Sequence, residues 1–307
     1  MIAAAVGLFY LDDRLDDVRL SGWASDLMLG RDYPPSGLIL LLVVLGVIVL
    51  AGRELSRLFQ SKGVAVSGRL LGFAGWVGIL AVYAIPFRLD SQATLALYTT
   101  CLVGVFVLAL LVYARRHETQ GALTAASAAL LALIYLGTLP GFLLAIRRWH
   151  SAWVVVGIIL VIKASDIGAY FTGRAIGKRK LIPWLSPGKT WEGLAGGVAM
   201  SALVAVGLVA LSNELGVSGR YVYDEDLTSR RFAASDYPLW LAAIAGGLLA
   251  LAGVLGDLTA SLFKRDAGIK DSGRSIPGFG GVLDVIDSLV LAAPVAYWMI
   301  RLMHAVG

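Results

Sequence analysis

The chain has 307 residues, 58% of them hydrophobic and only 15% charged, where a soluble domain of this length carries about a quarter charged residues. Its formal net charge of +5 is not gathered into a basic helix or an aromatic–basic stripe, which argues against a nucleic-acid partner. The single cysteine, Cys101, excludes an intramolecular disulfide and a CxxC metal site, and His117, His150 and His304 lie scattered at segment ends without HExxH spacing.

Apolar stretches near the roughly 20 residues needed to cross about 30 Å of hydrocarbon recur along the chain. In order, they predict spans at 37–52, 70–87, 93–114, 122–146, 151–171, 193–212, 238–263 and 282–303. The opening MIAAAVGLFY is apolar but too short to span alone, and it lacks the basic start and cleavage site of a signal peptide. It reads as the end of a ninth span that begins upstream. The expectation is an all-α polytopic membrane protein, a bundle of about eight to nine transmembrane helices. Residues 1–150 supply N-terminal transmembrane helices, and 151–307 form a catalytic transmembrane region with polar loops. Gly193 with Gly197, and Gly246 with Gly247, are candidate points of close helix approach.

Four basic loops fall on one side of these spans: Arg53, Arg57, Lys62 and Arg69; Arg115 and Arg116; Arg174, Lys178, Arg179, Lys180 and Lys189; and Lys264, Arg265, Lys270 and Arg274. The excess of Lys and Arg makes that side cytoplasmic. Arg147 and Arg148 dissent, on the opposite side.

The polar chemistry concentrates in two of these loops. Asp257 lies in an apolar helix, where a carboxylate is costly unless it meets a cavity, a partner or a metal. Ser261, Lys264 and Arg265 follow on the same helical face; the plainer reading is an internal Asp–Lys ion pair with snorkelling cations. Asp284 and Asp287 share a face at the start of the last span. Such acids repel unless a cation sits beside them, and oxygen ligands with room for water and phosphate suit Mg²⁺. The alternative is acidic decoration of a helix N-terminus. Between them Pro277-Gly278-Phe279-Gly280-Gly281 forms a turn able to aim N–H groups at an anion. Upstream, Asp166 pairs with Lys163 or Arg174 in the plain reading, and Ser186-Pro187-Gly188-Lys189-Thr190 reads as an anion-binding turn before Trp191-Glu192, although GxxxxGK[ST] is lacking.

The run Ser261-x-x-Lys264-Arg265-x4-Lys270-Asp271-x-Gly273-x2-Ile276-Pro277-Gly278-x-Gly280-Gly281-Val282-x-Asp284-x-x-Asp287 resembles the signature of the phosphatidate cytidylyltransferases, or CDP-diacylglycerol synthases. The upstream SDxGAYxxGRxxGKxK and SPxKTxEGxxGG strings are similar to other stretches of that family. Phe279 stands where the family usually has His, and Val285 where it usually has Arg. The resemblance implies synthesis of CDP-diacylglycerol and pyrophosphate from CTP and phosphatidic acid, with Mg²⁺ as cofactor. It implies a multi-pass protein of the inner membrane whose active site faces the cytoplasm, with the bilayer as partner and a homodimer left open. On this reading Asp257 and Asp284 lead as metal ligands. Asp287 and Asp271, with Lys264, Arg265 and Lys270, complete the catalytic set, and Asp166 supports it. Ser186, Lys189, Thr190, Glu192, Ser261, Gly280 and Gly281 bind substrate. Two rivals are a transporter with an ion path through Asp166 and Asp257, and a silent relative that only binds lipid. The DGxxAR…GxxxDxxxD pattern of CDP-alcohol phosphotransferases is absent.

Overall fold

The structure, a computed structural model, describes residues 2–27, 33–84, 91–115, 121–223, 230–269, 272–273 and 280–306. Helices α1 (Ile2–Leu15) and α2 (Trp23–Leu27) precede α3 (Leu38–Gln60), α4 (Gly68–Ala84) and α5 (Ser91–Ala114). A long helix then runs through α6 (Ala122–Ala132), a π-helical turn (Leu133–Thr138) and α7 (Leu139–Trp149). Helix α8 (Ala152–Ile176) leads to the hairpin β1 (Lys180–Ile182) and β2 (Ser186–Thr190), and α9 (Trp191–Glu214) to the hairpin β3 (Gly219–Tyr223) and β4 (Arg230–Ala234). Helices α10 (Leu239–Asp266) and α11 (Val282–Val306) complete the chain.

Among the described residues, seven helices are long and apolar enough to cross a membrane, and Gly68–Tyr83 is a shorter apolar helix. Each predicted span thus contains an apolar helix, and the fold is an all-α polytopic membrane protein. The helices outrun the apolar stretches. α3 continues to Gln60, so Arg53, Glu54 and Arg57, expected in a loop, stand on helix. Hydropathy locates the hydrocarbon slab, whereas the backbone hydrogen bonds of a helix continue unbroken into the polar zone.

The π turn has a local cause. Pro140, at the start of α7, has no N–H to offer Leu136 O four residues back, and Thr138 Oγ1 donates to Leu133 O within the turn, at 3.1 Å. Glycines let α4 lie backbone to backbone on this turn: a Cβ on Gly78 would collide with Leu133 O, and one on Gly137 with Gly75 O. Leu55, Leu71, Leu133 and Leu136 pack there with Val282, Leu283 and Val290 of α11. A second core joins Ile48, Ile79, Ile146, Val155, Ile162 and Leu249.

Of the small residues marked in the sequence, Gly193, Gly197 and Gly246 are close approaches, with backbone or hydroxyl oxygens 2.6–2.9 Å from a built Cβ. Gly247 is not; its nearest neighbour is Val198 Cγ1 at 3.6 Å.

Arg147 and Arg148 are explained by their partners. Arg147 is fully buried, with Nε 2.6 Å from Asp12 Oδ2 and Nη2 2.7 Å from Asp16 Oδ2. Arg148 donates to Tyr83 O and lies over the Tyr83 ring. Arg147, neutralised inside the fold by Asp12 and Asp16, adds nothing to a loop's charge bias.

Candidate active site

The C-terminal half of α8, the β1–β2 hairpin, the start of α9, the end of α10 and the start of α11 enclose one cavity of about 550 Å³. α3 ends on the same side of the bundle: Lys62 Nζ is 3.1 Å from Asp266 Oδ1, and Ser61 Oγ donates to Ala267 O at 3.1 Å. Asp166, Lys189, Thr190, Asp257, Asp284 and Asp287 all line the cavity. The carboxylates expected at its heart therefore face one space.

α10 and α11 meet at Gly256, where a Cβ would collide with Asp287 O. That contact brings Asp257 and Asp287 into side-chain hydrogen-bond range of each other. Lys189, reaching over from β2, places Nζ 2.6 Å from Asp257 Oδ2.

Asp284 sits one turn earlier and is held differently. Its Oδ1 is 2.6 Å from Lys264 Nζ, and its Oδ2 accepts from Ser272 N at 3.2 Å, Ser272 Oγ at 2.9 Å and Gly281 N at 3.1 Å. The plain Asp257–Lys264 pairing is not formed; each acid takes a lysine from another element. Asp287 is the acid that meets Asp257, while Asp284 is held by the loop that precedes α11, through Ser272 and Gly281 N.

The SPGKT segment is a strand rather than a turn: β2 pairs antiparallel with β1, Lys180 opposite Thr190 and Ile182 opposite Ser186. Lys189 and Thr190 reach the cavity, with Thr190 Oγ1 also capping α9 through Gly193 N at 3.1 Å. Ser186 and Glu192 are not among the lining residues. Glu192 accepts instead from Lys178 N and Arg179 N at 3.1 and 3.2 Å, fixing the entry into the hairpin. Ser261, Lys264, Arg265, Gly280 and Gly281 likewise stay off the cavity wall. Gly280, at φ +89°, and Gly281 shape the loop around Asp284, and Arg265 is exposed. Lys270 and Asp271 lie outside the described residues, as do Arg274 and Phe279.

The plain pairing of Asp166 with Lys163 is formed, while Lys163, Tyr170, Arg174 and Ser288 were not read as site residues. Lys163 Nζ is 3.0 Å from Asp166 Oδ2 and 3.0 Å from Ser288 Oγ, and Arg174 donates to Tyr170 OH at 2.8 Å; all five line the cavity. A lysine midway along an apolar span was the available signal. Glu54, buried in α3, accepts from Val282 N and Leu283 N, and no motif marked it.

Among the described residues, no three His, Cys, Asp or Glu side chains are grouped tightly enough to hold a metal as placed. The Asp257–Asp287 contact nevertheless fits a divalent cation. Two carboxylates meet across a helix crossing, with Asp284 on the same cavity, and Mg²⁺ takes one or two carboxylates and completes its shell with water and phosphate oxygens.

The profile of the cytidylyltransferase family matches residues 30–303. The phosphatidate cytidylyltransferase of Haemophilus influenzae is 42% identical over 146 residues, 48% of this chain and 45% of that protein. That of Pseudomonas aeruginosa is 38% identical over 164 residues, 53% of each. The chain thus spans about half the length of these two relatives. The phosphatidate cytidylyltransferase of Bacillus subtilis is 32% identical over 253 residues, 81% of this chain and 84% of that protein. With the profile running through α3 to α11 and one relative aligned over most of both sequences, the chain belongs to the cytidylyltransferase family.

Proposed function

We propose that the protein is a phosphatidate cytidylyltransferase that makes CDP-diacylglycerol and pyrophosphate from CTP and phosphatidic acid. The observation that carries this reading is the single cavity on which Asp257, Asp284 and Asp287 converge with Lys163, Lys189 and Arg174. In the reaction, an oxygen of the lipid phosphate attacks the α-phosphorus of CTP. The bond from that phosphorus to the bridging oxygen breaks, and pyrophosphate leaves with the electron pair. The nucleophile is already charged, so the work is to bring two anions together in line.

Asp257 and Asp287, with Asp284 beside them, would hold Mg²⁺, which when bound supplies charge neutralisation at the phosphates. Lys189, at the hairpin, faces the nucleotide, and Lys163 and Arg174, on α8, face the lipid phosphate. Thr190 fixes the start of α9 and keeps Lys189 in reach. Lys264 holds Asp284 in register. An ion path through Asp166 and Asp257 is not favoured, since both acids share this one cavity with cations that pair with them.

The reading places the site at the cytoplasmic face of the inner membrane, supported by Arg57 at the end of α3 and by Lys62, Lys178, Arg179 and Lys180 beyond the spans. The mass of the protein in lipid nanodiscs tests whether it pairs as a homodimer. The test of function is purified protein incubated with phosphatidic acid and each nucleoside triphosphate, with and without Mg²⁺. Lipid-linked nucleotide is expected with CTP and Mg²⁺ together, and a protein that forms none under any condition overturns the assignment.

A further inference from the structure

Glu54 lies in α3, more than 200 residues before the acids of the cavity. It is fully buried. A buried carboxylate is costly unless hydrogen bonds and charge compensate it, so its partners define its role. Oε1 accepts from Val282 N at 2.9 Å and Oε2 from Leu283 N at 3.0 Å. These are the first two residues of α11, whose N–H groups have no acceptor within the helix, and a negative charge there is further favoured by the helix dipole.

Two more observations tie Glu54 to the site. Ser272 Oγ is 3.2 Å from Glu54 Oε2 and 2.9 Å from Asp284 Oδ2, so one hydroxyl, with a single proton to give, bridges the two carboxylates. The space for Glu54 is kept by glycines. A Cβ on Gly273 would lie 2.8 Å from Oε1, and one on Gly281 2.7 Å from Oε2. Gly281 N in turn donates to Asp284 at 3.1 Å. The carboxylate of α3 thus fixes the start of α11 from below while Asp284 fixes the same loop from above.

We propose that Glu54 is a positioning residue of the transferase site: it sets the first turn of α11, and with it the direction in which Asp284 and Asp287 face the cavity. The proposal rests on the transferase reading above. Glu54 touches neither substrate nor metal; it acts through the loop. A merely structural buried acid would change stability and leave the metal dependence of the reaction alone.

The test uses the full chain in nanodiscs, as Glu54→Gln and Ser272→Ala. Three quantities are read: melting temperature, amide exchange at Gly281 to Leu283 without ligands, and initial rate with CTP and phosphatidic acid against Mg²⁺ concentration. Glu54→Gln is expected to lower kcat or raise the Mg²⁺ midpoint by about 10–100-fold, with faster exchange at Val282 and Leu283. Ser272→Ala shifts the midpoint in the same direction at an unchanged melting temperature. A Glu54→Gln protein with parental kcat and midpoint overturns the proposal, whatever its stability. Should that variant not fold, Ser272→Ala decides, and a parental Mg²⁺ midpoint overturns it. A parent protein that makes no CDP-diacylglycerol overturns the transferase reading itself. The exchange arm, which needs no substrate, then reports separately whether Glu54 holds the loop, and unchanged exchange overturns that too.

Discussion

Lys189 Nζ stands 2.6 Å from Asp257 Oδ2 and joins the β1–β2 hairpin to α10 across the wall of the cavity. The same device recurs a turn away, where Lys264 meets Asp284 at 2.6 Å. Both pairs are partly shielded from solvent, with Lys189 23% and Lys264 15% exposed in their side chains. Asp257 and Asp284 are thus each balanced in the free protein by a lysine from a different element. On the proposed reading, phosphates would offer the lysines a new partner and free the carboxylates to hold a divalent cation.

That exchange of partners separates the effects of the two residues. Asp257→Asn is expected to reduce kcat by about 100-fold or more, because the proposed Mg²⁺ site would lose a charged ligand. Lys189→Met is expected to act chiefly on the apparent KM for CTP, raising it about 10- to 150-fold, as loss of a charged hydrogen bond of about 1.5–3 kcal/mol would. Steady-state kinetics with CTP varied at saturating phosphatidic acid distinguish them. A Lys189→Met enzyme with parental KM and lowered kcat would show that this lysine serves the chemistry and not nucleotide binding.

The helix crossing at Gly256 makes a second prediction. A methyl group there collides with Asp287 O, so Gly256→Ala forces α10 and α11 apart at the point where Asp257 and Asp287 meet. Overpacking of this kind costs about 1–3 kcal/mol, and the expected activity loss exceeds what that destabilisation alone explains. Gly247→Ala on the same helix is the control. Its methyl group finds ordinary van der Waals contact with Val198 at 3.6 Å, and alanine favours the helix by about 0.5–1 kcal/mol. Thermal stability and turnover of the two variants should diverge; equal behaviour would mean the crossing tolerates a methyl group.

The spans were legible because each is a long apolar run, and hydropathy alone marks the hydrocarbon slab. Asp257, Asp284 and Asp287 were legible because charges are conspicuous against that background. Pairing was not. The i, i+7 spacing of Asp257 and Lys264 suggested a bond along one helix, yet the structure joins Asp257 to Lys189 and Lys264 to Asp284. Those contacts depend on helix packing, which spacing within one helix cannot report. Glu54 was hidden for the same reason: it sits in a basic segment that reads as a loop, and its partners Val282 and Leu283 act through backbone N–H groups that any residue type carries. SPGKT misled in another way. Its Pro and Gly suggest a turn, but the pairing with β1 makes it a strand.

The opposite end of the bundle rests on Arg147, and its removal tests how α1 is held. Asp12 and Asp16 of α1 both reach it, at 2.6 and 2.7 Å, and all three side chains are buried or nearly so. Arg147→Met leaves two carboxylates with no counter-charge, so a loss of about 3–5 kcal/mol is expected. The triple variant Asp12→Asn, Asp16→Asn, Arg147→Met should recover part of that loss, since no bare charge remains. Thermal unfolding of the three proteins in one detergent measures it, and an Arg147→Met protein as stable as the parent would show that α1 does not depend on this pair.

His150, between α7 and α8, makes stability depend on pH. It is buried, and burial is the main force that pushes its pKa down from 6.5 to about 4, with Arg220 and His304 disfavouring a further positive charge and a hydrogen bond to Ile146 O opposing the shift. Nδ1 lies 3.0 Å from Ile146 O, so Nδ1 carries the proton and Nε2 accepts from His304 Nε2 at 2.8 Å. A second proton on His150 would set two N–H groups against each other. The folded-state pKa is lowered, so the unfolded chain takes up a proton that the folded chain refuses. Stability is therefore full above about pH 6.5 and falls as the pH drops toward 4, with a slope approaching about 1.4 kcal/mol per pH unit. His150→Asn removes that proton uptake. Melting temperatures measured from pH 8 to 4.5 should fall more steeply below pH 6.5 for the parent than for the variant, and parallel curves would show that His150 is not the group being titrated.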